Sequence, residues 1–166
     1  MRNSQNTRAL AILGAFPDVP RFFSLLQAEQ MLPEVERLVR SLVEAKRDYD
    51  SGDAELDAIK QRITLLGGVS LARETVLASR TRREAAARTL KSVVEKITEL
   101  GVQIKDPDTG LIDFPTLYRD REVYLCWRLG EPSIGFWHNV EDGFRGRQAI
   151  DREFLENHRG DDEAPN

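Results

Sequence analysis

Arg121-Glu122-Val123-Tyr124-Leu125-Cys126-Trp127-Arg128-Leu129 alternates apolar Val123, Leu125, Trp127 and Leu129 with Glu122, Tyr124, Cys126 and Arg128. A period of two separates side chains only on an extended strand, so this is a strand whose first set is expected to pack on the helical part of the chain. Gly130 to Ser133 forms a turn, and Ile134 to Asn139 returns as the next strand. One register of that hairpin sets Tyr124 across from His138 and Cys126 across from Phe136. A slip of one residue would undo every pair. Upstream, Val102 to Lys105 and Leu111 to Phe114 flank the turn Asp106-Pro107-Asp108-Thr109-Gly110, completing an antiparallel meander over about 102–139. Phe114 is expected in the core. Pro115 should end its strand, because proline brings no N–H to a ladder. Trp127 and Trp137 read as core residues.

Before Gly101 the pattern changes to helical spacing. Ser24 with Gln27 three residues on is a capping-box pattern, making Ser24 the N-cap of the first helix. Pro33 lacks an N–H and clashes with the preceding turn, which predicts a short helix over Leu25 to Gln30 and a second beginning at Pro33. Phe22 and Phe23 precede the cap as an extended segment. Val35, Val39 and Leu42 form an apolar stripe with Leu38 and Val43 beside it, and Leu56, Ile59, Ile63 and Leu66 continue it in a shifted phase. A bend or stutter is expected near Gly52.

Gly67 and Gly68 mark a reversal, after which Leu71 to Leu100 reads as a long helix with Val76, Ala87, Leu90, Val94 and Ile97 on its stripe. Arg80 and Arg83 interrupt that stripe. Equal distances from the turn place Arg80 near Glu55 and Arg83 near Gly52 and Asp53, so a polar gap faces an acidic one. The architecture expected is α+β: a long antiparallel, coiled-coil-like helical hairpin over about 33–100, packed on the small sheet.

The chain has 166 residues, 24 basic and 28 acidic, with a net charge of −4. Residues 1–100 hold 16 basic and 14 acidic side chains and residues 101–166 hold 8 and 14, so the acid excess is C-terminal. This composition excludes a wholly disordered or collagen-like chain. The acidic balance argues against a sequence-independent grip on nucleic acid, and the basic stripe Arg73, Arg80, Arg82, Arg83, Arg88 and Lys91 lacks interleaved aromatics, so it reads as a solvated helix face. The single cysteine, Cys126, excludes an internal disulfide framework and suits a reducing, cytoplasmic setting. The longest apolar stretch, Ala9 to Phe16, is too short to cross a membrane, and no membrane partner is expected. Residues 1–21 read as a leader of uncertain order. Residues 22–149 read as one domain. Residues 150–166 read as an acidic tail, with a short helix and then fraying over Gly160 to Asn166.

Several runs carry a family resemblance. Lys105-Asp106, Gly110-Leu111-Ile112-Asp113-Phe114-Pro115, Arg121 to Glu131, Trp137-His138 and Gly143-Phe144-Arg145-Gly146-Arg147-Gln148 resemble the signature of an uncharacterised bacterial family, domain of unknown function 2203. Phe23-Ser24-Leu25, Ala28 and Leu32-Pro33-Glu34-Val35 resemble its N-terminal motif, and the likeness covers roughly residues 22–149. It implies no activity.

Polar residues crowd the sheet half. Arg128, Arg145 and Arg147 could receive an anionic ligand, since guanidinium forks suit carboxylate or phosphate, with Glu131 and His138 available for proton transfer. Against this, the arginines could simply pair with Asp113, Glu131 and Glu141. A metal could use Glu131, His138 and Glu141 or Asp142, but with one histidine in the signature a typical zinc site lacks ligands, so no metal and no cofactor are expected. Cys126 reads as a small buried hydrophobe rather than a nucleophile, for which Arg128 and His138 would have to supply the activating setting. Gly143 to Arg147 has too few glycines for a phosphate loop. The leading expectation is a non-enzymatic module that self-associates or meets a protein partner through its helical arm. The alternative is an anion-binding protein or enzyme at Arg128, Glu131, His138, Arg145 and Arg147.

Overall fold

The computed structural model describes residues 21–66 and 73–161; the leader Met1 to Pro20, the reversal at Gly67 and Gly68, and the last residues Asp162 to Asn166 lie outside them. Two long helices, α1 (Leu25–Leu66) and α2 (Arg73–Glu99), pack antiparallel on each other. Strands β1 (Gln103–Asp106), β2 (Leu111–Tyr118), β3 (Arg121–Arg128), β4 (Phe136–Asn139) and β5 (Gln148–Ala149) follow, then helix α3 (Arg152–Asn157) and strand β6 (His158–Arg159). The strands form one antiparallel sheet in the order β1-β2-β3-β4-β5, with β6 also paired to β2. The α+β hairpin-on-sheet architecture is therefore as expected.

The β3–β4 register is the one read from alternation: Tyr124 faces His138 and Cys126 faces Phe136. Val123, Leu125 and Trp127 join Val35, Val39, Leu42, Val93 and Ile97 in the main core. The opposite side of β3 is buried as well, since Tyr124 and Cys126 are covered. Ile134, expected in the return strand, instead enters the core, its N–H donating to Glu29 Oε1 at 2.6 Å.

The capping box at the start of α1 is formed. Gln27 N–H donates to Ser24 Oγ at 3.3 Å, and Ser24 N–H donates to Gln27 Oε1 at 2.8 Å. Both prolines depart from expectation. α1 runs unbroken through Pro33, because Ala28, Leu32 and Val35 on either side of it are buried on one face, and that packing outweighs one missing backbone bond. Pro115 lies inside β2, opposite Tyr124. Its carbonyl accepts from Phe23 N–H at 2.7 Å on the edge away from β3. In a strand the N and O of one residue point to the same edge, so the absent N–H costs the β2–β3 ladder nothing.

Along the helix pair, Gly52 and Arg83 meet as expected: a Cβ on Gly52 would lie 3.0 Å from Arg83 Cβ, and Arg83 pairs with Asp53 at 2.8 Å. α1 continues through this glycine, which allows a close helix–helix approach. Glu55 does lie beside this stretch of α2, but its bonds go to the neighbours of Arg80. Glu55 accepts from Ser79 Oγ at 2.8 Å and from Arg82 at 3.2 Å, while Arg80 is exposed. The buried face of α2 comprises Ser79, Ala86, Val93, Val94 and Ile97, so the true seam lies one residue before Arg80 and Ala87.

The segment after β5 is ordered further than expected. Asp151 caps α3 by accepting from Phe154 N–H at 2.8 Å, and buried Phe154 stacks on Trp137 with centroids 4.9 Å apart. Gly160 is buried against Ser24, and Asp161 bonds Phe22 in both directions, so these two residues of the expected frayed end are bonded to the start of α1.

Two substitutions test this packing. Pro33→Ala restores a helical N–H and should raise stability by about 1–3 kcal/mol in urea denaturation; no gain would mean the helix is already interrupted there. Gly110→Ala should destabilise by about 2–4 kcal/mol. Gly110 has φ +68, and its added Cβ would meet Val39 Cγ1 and Leu129 Cβ at 2.8 Å.

Candidate functional site

The covered polar side of the sheet carries the chemistry. Asp113 on β2 lies opposite Cys126 on β3, and Tyr124 on β3 lies opposite His138 on β4. Alternation therefore sends Asp113, Tyr124, Cys126 and His138 to one face, and Asp113, Cys126 and His138 are each at most 2% exposed. Asp113 Oδ2 lies 3.1 Å from His138 Nε2, and the ring's Nδ1 lies 2.7 Å from the Asn139 carbonyl. The carbonyl can only accept, so Nδ1 carries a hydrogen and Nε2 is the nitrogen turned toward Asp113. Lys105 Nζ is 3.6 Å from the same Asp113 oxygen and 4.3 Å from the centre of the Tyr124 ring, lying over its face. Asp113 Oδ1 is buried with no hydrogen-bond partner.

The titrations follow from these contacts. Burial lowers the His138 value, but the bond to Asp113, the Asn139 carbonyl and the Asp113 charge together raise it above the ordinary range. Burial pushes the Cys126 thiol up to about 12, with Asp113 adding to the effect and Arg147 opposing it. Cys126 is thus held as a buried thiol at neutral pH and lacks the exposure of a nucleophile.

The arginines take different positions. Arg147 forms a bidentate pair with Glu131, with both N–O distances 2.7 Å, and donates to the Cys126 carbonyl at 3.1 Å. Its guanidinium lies over the rings of Phe136 and Phe144, with centroids at 4.4 and 4.7 Å. Arg128 lies 5.3 Å from the Phe144 centroid, and Arg145 is exposed. Arg147 and Glu131 are thus brought together, His138 turns to Asp113, and Arg128 and Arg145 stand at the rim. The acids weighed as metal ligands are dispersed, with Glu131 on Arg147 and Asp142 accepting from Asn139 at 2.6 Å. The trio that does converge is Asp113, Cys126 and His138, whose donor atoms all lie within 4.8 Å of one another. Pairing β2 with β3 by alternation, as β3 was paired with β4, would have shown Asp113 on this face.

The fold and site define an α+β protein with a helical hairpin on an antiparallel sheet that buries a polar cluster on its far side. The chain belongs to the family described as uncharacterized conserved protein (DUF2203), whose model matches residues 21–150. No curated protein and no solved structure matches it. Among the described residues, no helix is long and apolar enough to cross a membrane.

The Arg147–Glu131 pair gives a pH-dependent prediction. Burial alone would raise the Glu131 value, but Arg147, the Arg128 N–H and the nearby arginine charges hold it below its ordinary 4.5. The pair's contribution is therefore present above pH 4.5 and is lost as pH falls through the lowered value. Glu131→Gln should cost on the order of 2 kcal/mol at pH 7. Equilibrium unfolding of both proteins should show the difference shrinking below pH 4.5; a difference that stays constant down to strong acid would refute the pair's role.

Proposed function

We propose that this chain is a non-enzymatic module of the bacterial cytoplasm that self-associates through the outer half of its helical hairpin. The observation that carries this reading is the surface of that arm. Outward of Asp50, α1 meets α2 through Gly52, Asp53 and Glu55, while Ile63, Leu65 and Leu77 are 42%, 82% and 63% exposed. These three apolar side chains on the charged outer arm are the contact surface this reading assigns to another chain.

Charge favours a second copy as the occupant. The outer part of α1 carries Asp48, Asp50, Asp53, Glu55 and Asp57 against Arg47, Lys60 and Arg62. The facing part of α2 carries Arg73, Arg80, Arg82, Arg83 and Arg88 against Glu74 and Glu84. Asp53, Glu55 and Asp57 already pair with Arg83, Arg82 and Lys60 within the chain, so a two-fold arrangement would draw on the remaining charge of the arm, above all the exposed Arg73, Arg80 and Arg88 of α2 against Asp48 of α1. The anion-binding alternative at Arg128, Glu131, His138, Arg145 and Arg147 has less support, because Glu131 already fills the Arg147 fork and His138 faces Asp113.

Light scattering tests the reading. The intact chain should give twice its 18.9 kDa mass, and Leu65→Asp with Leu77→Asp should give a folded monomer. An intact chain that stays monomeric at micromolar concentration ends the proposal. So does a dimer that survives deletion of Asp50 to Arg83.

A further inference from the structure

We propose that Asp113, Cys126 and His138 form a binding site for a borderline-soft divalent cation, zinc above all, at the centre of the sheet's buried polar face. The three residues come from three adjacent strands, and their donor atoms lie within 4.8 Å of one another. One edge of the triangle, Asp113 Oδ2 to His138 Nε2, is 3.1 Å. Zinc bonds of ~2.0–2.3 Å hold neighbouring ligand atoms roughly 3.2–3.8 Å apart, so closing on the ion requires movement of about 1 Å.

Two features point to a ligand rather than to a plain buried ion pair. His138 gives its Nδ1 hydrogen to the Asn139 carbonyl, which is how a metal-ligating imidazole is usually held, and this leaves Nε2 aimed at the other two donors. Asp113 Oδ1 is fully buried and has no partner, an orphaned acceptor that a cation would satisfy. Thiolate with imidazole selects zinc or cobalt(II) over calcium or magnesium, which prefer oxygen donors.

Lys105 is the internal competitor. Its ammonium neutralises Asp113 from 3.6 Å, yet its side chain is 34% exposed and can swing to solvent when a divalent ion takes its place. As the metal–sulfur bond forms, the Cys126 proton leaves to solvent, and any proton on His138 Nε2 leaves with it. A buried trio with a thiolate, an imidazole and a carboxylate leaves a fourth position for water.

The test uses the full chain, freed of metal by chelator and titrated with cobalt(II). One equivalent should produce sulfur-to-cobalt charge-transfer absorption in the near-ultraviolet and tetrahedral d–d bands in the visible, both bleached by zinc; their absence in the folded chain overturns the proposal. Cys126→Ser should abolish the charge-transfer band, and His138→Asn should weaken binding by about tenfold or more. These positions are buried, so Lys105→Ala provides an arm that spares the core: it should tighten cobalt binding severalfold by removing the competing cation. Unchanged or weaker binding in that variant overturns the proposal.

Discussion

The tie between Phe23 and Pro115 holds the two halves of this protein together. Phe23 is fully buried, its ring stands edge-on to Phe114 at a centroid distance of 5.5 Å, and its N–H reaches the Pro115 carbonyl. Gly101, at the end of α2, comes so close that a side chain there would press on the Phe23 ring at 3.2 Å. The start of one helix, the end of the other and the middle of β2 thus converge on one aromatic ring. Burying such a ring stabilises by roughly 1.5–3 kcal/mol, and its position sets how the hairpin is aimed at the sheet.

From that junction the sheet acquires two unlike faces. The side toward the helices is filled by Ile112, Phe114, Val123, Leu125 and Trp127. The other side buries Asp113, Cys126 and His138 at the same depth but offers them charged and aromatic neighbours, Lys105, Arg147 and Tyr124. Burying a carboxylate and an imidazole without partners would be costly, and their mutual contact is what makes the placement tolerable. Arg147 plays the matching part at the margin, where Glu131 and two phenyl rings immobilise it.

Much of this was legible in the residues, and the misses have common causes. The β3–β4 pairing could be read because strict alternation and a glycine turn leave few registers, and the Ser24 cap because its two bonds are local. The meeting of Arg83 with Gly52 and Asp53 followed from counting away from the reversal. Pro33 and Pro115 were misread because the rule against proline is local, whereas their tolerance comes from burial of Leu32 and Val35 in one case and from an edge filled by Phe23 in the other. Arg80 was placed at the seam because alanines at 85–87 leave the phase of α2 undefined; Ser79, small and able to donate to Glu55, fits the contact instead. Of Arg128, Glu131, His138, Arg145 and Arg147, the structure joins Glu131 to Arg147 and turns His138 to Asp113, whose position on that face required the β2 register.

The junction near Ser24 also bears on how the chain acquires its structure in time. Leu25 N–H donates to His158 Nε2, and Phe22 exchanges bonds with Asp161, so partners 133 and 139 residues apart close over the first turn of α1. On a ribosome the first helix emerges early, but these bonds cannot form until residues 158–161 have left the exit tunnel. Such distant closure carries a loop entropy that local helix pairing avoids. The helical pair and the β2–β3 hairpin close far shorter loops than the contact of residues 158–161 with the first turn of α1, so that contact carries the larger share of the chain's closure entropy.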